Sequence, residues 1–193
     1  MKFSSLLASA CLAAGLSIAG FAAMAAEPEN TMIIELADGE VTVALRPDLA
    51  PQHVERIKTL VREGAYDNVA FHRVIEGFMA QTGDVQFGDM EDGFDPARAG
   101  TGGSSLPDLP AEFSDVKFER GVLGMARSSD PNSANSQFFI MFTAYPSLNG
   151  QYTVVGQVEK GMELVDKIER GSGSGGSVSD PDRMVRVRIA ADN

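Results

Sequence analysis

The stretch 71–84, FHRVIEGFMAQTGD, constrains the fold of this chain more than any other. It contains two short apolar runs, Phe71–Ile75 and Phe78–Thr82, separated by Glu76-Gly77. Two such runs around a glycine read as strands joined by a tight turn, with Gly77 supplying the backbone freedom. Side chains alternate faces along a strand, so Arg73 shares a face with Phe71 and Ile75, and Gln81 shares one with Met79. An arginine in that company is costly, because a desolvated guanidinium must be paired or used. The plain reading is an edge arginine whose head reaches water; the sharper one is an arginine kept for chemistry.

Residues 1–25 carry one early cation, Lys2, then an apolar, alanine-rich run that ends in Ala23-Met24-Ala25. Small residues at those two positions suit a signal peptidase, so the segment reads as a cleavable signal peptide and the protein as exported to the periplasm. The single domain expected after cleavage spans 26–193. Cys11, the one cysteine, leaves with the leader. The mature chain therefore has no disulfide or thiol chemistry and relies on its core, for which about 170 residues suffice. The formal charge of −11 becomes −12 once Lys2 is lost. So acidic a chain repels nucleic acid and anionic headgroups. It is expected to be a monomer with no membrane contact after cleavage.

The mature part opens with MIIEL and EVTVALR around Ala37-Asp38-Gly39, a hairpin signal. Pro51 then suits a first helical turn. Val54, Ile57, Leu60 and Val61 recur at helical spacing, and Gly64 ends the helix. His53 falls on the polar side and is expected at the surface. Residues 85–115 are rich in Gly, Asp and Pro without periodicity, a long loop. Asp89, Glu91 and Asp92 do not match a calcium-loop spacing, and Gly100-Thr101-Gly102-Gly103 lacks the Gly-Lys-Ser/Thr of a phosphate cradle, leaving backbone flexibility as its role.

Further strands are expected at 121–127 (GVLGMAR), 137–144 (QFFIMFTA), 153–159 (TVVGQVE) and near the C-terminus (DRMVRVRIAA), with a short helix over MELVDKIER. In QFFIMFTA both faces are apolar, which marks a central strand. GSGSGGS, residues 171–177, reads as a flexible linker. Many strands, two helices and no β-α-β alternation point to a mainly β fold: a closed antiparallel barrel capped by two α-helices, with any ligand site on an outer face.

FHRVIEGFMAQTGD, GTGG, GVLGMAR, SQFFI and Leu148-Asn149-Gly150, in that order, resemble the cyclophilin family of peptidyl-prolyl cis-trans isomerases. The similarity runs from about residue 31 to 190, and MARSSDPNSANSQFF resembles its bacterial branch. The resemblance implies an eight-stranded antiparallel barrel and no metal or cofactor. It makes Arg73 the catalytic arginine and Gln81 the residue that orients it. Phe78, Met79, Phe139 and Leu148 match the pocket for the proline ring. Ala126 and Arg127 lie where peptide backbone is held, Gln137 lines the same groove, and Tyr152 stands where many eukaryotic members carry His. The implied partners are unfolded or flexible proline-containing polypeptides. His72 is expected to be a structural hydrogen-bonding residue. Ser147 stands where cyclosporin-sensitive members have Trp, so weak cyclosporin binding with isomerase activity is expected. Loop Val85–Ala99 is longer than in compact members; it is expected to adjoin the groove and favour basic residues near the proline. Two other function classes remain: a proline-binding module without catalysis, and an unrelated Ser/His/Asp enzyme, for which no G-x-S-x-G motif is present.

Overall fold

The computed structural model describes residues 27–192; the expected leader over 1–25 lies outside them. In chain order the elements are β1 (Thr31–Leu36), β2 (Gly39–Leu45), α1 (Pro51–Arg62), β3 (Val69–Ala70), β4 (Arg73–Ile75) and β5 (Met79–Thr82). They continue with β6 (Val122–Met125), β7 (Phe138–Met141), β8 (Val154–Lys160), α2 (Met162–Val165), β9 (Arg183–Met184) and β10 (Arg186–Ile189). Eight strands form one antiparallel sheet in the order β10-β1-β2-β8-β6-β7-β5-β4. The fold is the expected mainly β one with two helices, but the expectation of full closure is corrected. The ladder stops at β10 and at β4, and the gap is spanned by the separate pair β3–β9. Backbone bonds from Phe71 to Asp182 and from Val178 to His72 complete that seam. β9 pairs with β3 along its whole length and β10 pairs with β1, so neither forms a ladder with β4.

Strand alternation divides the apolar residues between two clusters. Phe138 and Ile140 of β7 face the barrel interior with Val74, Leu123 and Val155. Phe139 and Met141 face outward and join Met79, Phe118, Val122 and Val154 in a second cluster. β7 is thus buried on both faces between β5 and β6, as its sequence implied. The second cluster is the floor on which the candidate site is built.

Helix α1 seals one end of the barrel with Val54, Ile57, Leu60 and Val61, all buried. Its N-cap, Ala50, offers no side-chain acceptor. Glu112, sixty residues away, supplies one instead: its carboxylate accepts from the N–H groups of Gln52 and His53. This also overturns the surface placement of His53, which is fully buried with Nδ1 2.6 Å from Glu112 Oε2. Burial, only partly offset by Glu112, pushes the His53 pKa below its ordinary value. The ring is neutral, with Nδ1–H donating to the carboxylate.

Residues 171–177 are not a free linker. Gly171 N–H donates to the Val74 carbonyl, Val74 N–H to Gly176, and Ser172 N–H to Ser177. They form a small hairpin laid against the outer edge of β4. Gly173 and Gly176, both in the left-handed region, let the chain return so tightly.

Candidate active site

β4 and β5 form the hairpin read from the sequence, with Arg73 opposite Gln81 and Ile75 opposite Met79. That register places Arg73 and Gln81 side by side on the outer face. Arg73 NH1 donates to Gln81 Oε1 at 3.0 Å, and Arg73 Nε donates to the Gly175 carbonyl at 3.0 Å. A guanidinium has five N–H bonds. Two are taken, and the others have no protein partner among the described residues.

Gln81 is held in turn. Its Nε2 donates to Gln137 Oε1 at 2.9 Å, and Gln137 Nε2 donates to the Gly102 carbonyl at 2.8 Å. The order of donors and acceptors fixes the amide orientation of both glutamines. Because Gln81 Oε1 must accept from Arg73, its Nε2 must donate onward, and Gln137 repeats the pattern.

Beside this chain lies a pocket of about 160 Å³ lined by Arg73, Phe78, Met79, Gln81, Ala126, Arg127, Phe139, Leu148 and Tyr152. All but one of the residues assigned from the resemblance therefore meet in one place. The remaining one, Gln137, lines an adjoining cavity of about 280 Å³ that shares Gln81, Ala126 and Arg127 with the first. Met79 and Phe139 are buried floor, while Phe78, Leu148 and Tyr152 are half-buried walls. Tyr152 stands edge-on to Phe139, with ring centroids 5.8 Å apart. The Arg127 guanidinium lies 4.4 Å over the Tyr152 ring and donates to the carbonyls of Gln151 and Ser128. It is a stiff wall rather than a free arm. A third cavity, of about 330 Å³, lies between the β1–β2 turn, α2 and β9 and shares no residue with these two.

Three expectations need correction here. No residue of 85–99 lines either groove cavity; Met90 instead lines the third one, and the Asp89 backbone bridges to β3. The loop lies toward the seam because Met90 N–H is held by the Asn68 carbonyl and Glu91 by Arg183. His72 is buried, but its ring nitrogens lie beside the Ala70 backbone and the Gln137 side chain without reaching full hydrogen-bond geometry among the described residues. Its ring packs against Gly100, where a Cβ would fall 2.9 Å from Cδ2. Burial outweighs Asp84, the Ala70 backbone and the Gln137 side chain, all of which favour the charged ring, and pushes its pKa below the ordinary value. Finally, Gly100 and Gly102 are not merely flexible: both N–H groups donate to Asp84 Oδ2. The sequence reading also missed the anchoring carbonyls of Gly102 and Gly175. Asp84 closes the 71–84 stretch, and its place in a buried-looking run is the sequence signal for its role.

An antiparallel barrel carrying an apolar pocket and a tethered guanidinium on its outer face defines a class: proteins that grip a short apolar ring of a peptide beside a cation. Comparison with known proteins narrows this. Residues 31–190 match the family model described as cyclophilin type peptidyl-prolyl cis-trans isomerase. A probable peptidyl-prolyl cis-trans isomerase of Brucella suis is 66% identical over 171 residues, covering 88% of this chain and 87% of the relative. An isomerase of Arabidopsis thaliana is 38% identical, covering 85% and 71%. Among solved structures, a cyclophilin from Hirschia baltica matches with a TM-score of 0.72 at 26% identity, over 87% of this chain and 76% of that one. A Cryptosporidium parvum cyclophilin solved in the presence of the dipeptide Ala-Pro gives 0.70 at 28%, over 82% and 98%. The chain belongs to the cyclophilin family and is a peptidyl-prolyl cis-trans isomerase.

Proposed function

We propose that the protein accelerates Xaa-Pro rotation in exported, folding polypeptides, with Arg73 as its electrostatic centre. The observation that carries this is the tethered Arg73 guanidinium, with N–H bonds to spare, at the lip of an apolar pocket. Rotation about Xaa-Pro is slow because the amide is resonance-stabilised, with a barrier of roughly 18–20 kcal/mol. In the twisted state that resonance is lost and the prolyl nitrogen becomes basic. An N–H of Arg73 can donate to that nitrogen only once the bond has turned, so it binds the transition state better than the ground state. Gln81 and the Gly175 carbonyl hold the guanidinium so that little reorganisation is needed at that moment. Phe78, Met79, Phe139 and Leu148 take the proline ring; that a Cryptosporidium neighbour was solved in the presence of Ala-Pro supports a proline peptide as ligand. Ala126, Arg127, Gln137 and Tyr152 hold the flanking backbone. The alanine-rich segment ending at Ala25 supports a periplasmic site of action.

The test is isomerisation of a short Ala-Pro peptide by wild type and Arg73→Ala. A loss of tenfold or more in kcat/KM, about 1.4 kcal/mol of barrier, is expected with the fold intact, because Arg73 is half-exposed. Equal activity in both proteins would reject Arg73 as the centre. Binding of proline peptides without acceleration would make the chain a recognition module.

A further inference from the structure

Asp84 is fully buried and lines neither groove cavity. It accepts from four backbone N–H groups: Gln86 and Phe87 on Oδ1, Gly100 and Gly102 on Oδ2, at 2.7–3.1 Å. A buried carboxylate is costly unless its lone pairs are satisfied, and here they are. The first two donors begin the long loop and the last two end it. Asp84 therefore pins both ends of an excursion that otherwise runs away toward the seam. The fit is close, because a Cβ at Gly102 would collide with Asp84 Oδ1 and fall 2.8 Å from Phe87 Cδ2.

Gly102 is also the terminus of the polar chain that ends at Arg73. Its N–H is given to Asp84 while its carbonyl accepts from Gln137. From there each link is a single hydrogen bond: Gln137 to Gln81, and Gln81 to Arg73. Displacing the Gly102 peptide moves the acceptor that sets Gln137, hence the amide of Gln81 that fixes one side of the guanidinium.

We propose that Asp84 is a positioning residue for the isomerase site, acting through Gly102, Gln137 and Gln81 to place the Arg73 guanidinium. For its kinetic consequence this rests on the isomerase mechanism above; for its geometric consequence it does not. In Asp84→Asn the amide NH2 must face either the Gly100/Gly102 or the Gln86/Phe87 donors, so one pair loses its acceptor. Small displacements of catalytic groups are expensive, with about 1 Å able to cost a hundredfold.

The experiment combines kinetics with NMR of the full mature chain. Asp84→Asn is expected to lower kcat about tenfold while KM changes less than about twofold. Paired with Gln137→Leu, the two losses should be non-additive, because both act on one chain of bonds. The Arg73 Nε–H resonance should shift in Asp84→Asn. Asp89→Asn removes a similar turn in the same loop, where Asp89 accepts from Glu91 and Asp92, without reaching Gly102. It should leave kcat and the resonance unchanged. If Asp84→Asn does not fold, Gly102→Ala displaces the same peptide with the carboxylate intact and should reproduce both effects. An unmoved Arg73 resonance, or fully additive losses, would overturn the proposal. A shifted resonance in a protein whose wild type shows no isomerisation would instead uphold Asp84 and reject the mechanism.

Discussion

Replacing Gly124 by alanine should close, from behind, the pocket proposed for the proline ring. Gly124 of β6 pairs directly with Phe139 of β7. An added Cβ would lie 2.5 Å from Phe139 Cζ and 2.6 Å from Phe118 Cε1. Those rings are stacked with centroids 5.8 Å apart, and Tyr152 stands edge-on to both. Ordinary contact begins at 3.4 Å, so the Phe139 ring must retreat by 0.9 Å, the difference from 2.5 Å. Its backbone is fixed between β5 and β6. The free direction is outward, into a pocket of only about 160 Å³. Overpacking of this kind costs about 1–3 kcal/mol, and in a domain of this size each kcal/mol lowers Tm by roughly 2–4 °C. At about 2 kcal/mol, the middle of that range, a Tm fall of about 4–8 °C is expected. Losing a methylene's worth of burial for the proline ring, about 0.8 kcal/mol, raises KM roughly fourfold. The value of kcat should change less, because the tethers of Arg73 lie on Gln81 and Gly175 rather than on Phe139. Calorimetry and a protease-coupled assay over a range of peptide concentrations measure both. A lowered Tm with unchanged KM would refute the reasoning, since Phe139 would then have moved without narrowing the pocket.

Stability should fall as the solution is acidified. Burial holds His53 and His72 below their ordinary value of about 6.5, so below it the unfolded chain binds protons that the folded chain does not. For Glu112 burial pushes the carboxyl up, but hydrogen bonds from the His53 ring and from the His53 and Gln52 N–H groups outweigh it and hold it below its ordinary range. Its contribution is present above the unfolded value and lost as pH falls through the folded one. Calorimetry should show Tm declining from pH 7 to 5 and again below about 4.5; a flat profile from 7 to 5 would refute the histidine assignment. Substrate charge should also matter. Arg73 and Arg127 are the charged side chains that line the two groove cavities, and no Asp or Glu lines either among the described residues. Peptides with Glu next to the Xaa-Pro unit should react roughly threefold faster than those with Lys, with the ratio shrinking in salt. Removing 89–97 should leave that ratio unchanged, and a Lys preference abolished by the deletion would restore a role for the acidic loop in the groove.

What the sequence makes legible follows from which interactions are local. The β1–β2 and β4–β5 hairpins and the two-sided burial of β7 are periodic patterns, visible without tertiary information. The pocket side chains come from a motif whose residue types are themselves the chemistry. His53 misleads because a helix-face argument sees only the helix, whereas Glu112 arrives from another part of the chain and buries it. The glycine-rich segment 171–177 misleads for the opposite reason. It has no pattern of its own, and its order comes from the open edge of β4.

The same distinction explains why the supports of Arg73 escape a residue-by-residue reading. Its outer tether is the Gly175 carbonyl, and its inner chain ends on the Gly102 carbonyl. A backbone carbonyl has no residue identity, so no pattern of side chains announces it. At Gly102 a side chain is nonetheless disfavoured, since a Cβ there would press on the buried Asp84 carboxylate and shift the peptide. Arg73 is thus written in the sequence as an arginine, while the parts that hold it still are written as an absence of side chain. Its geometry depends on two loops that look like linkers and are, in the folded chain, the fixed ends of its hydrogen bonds.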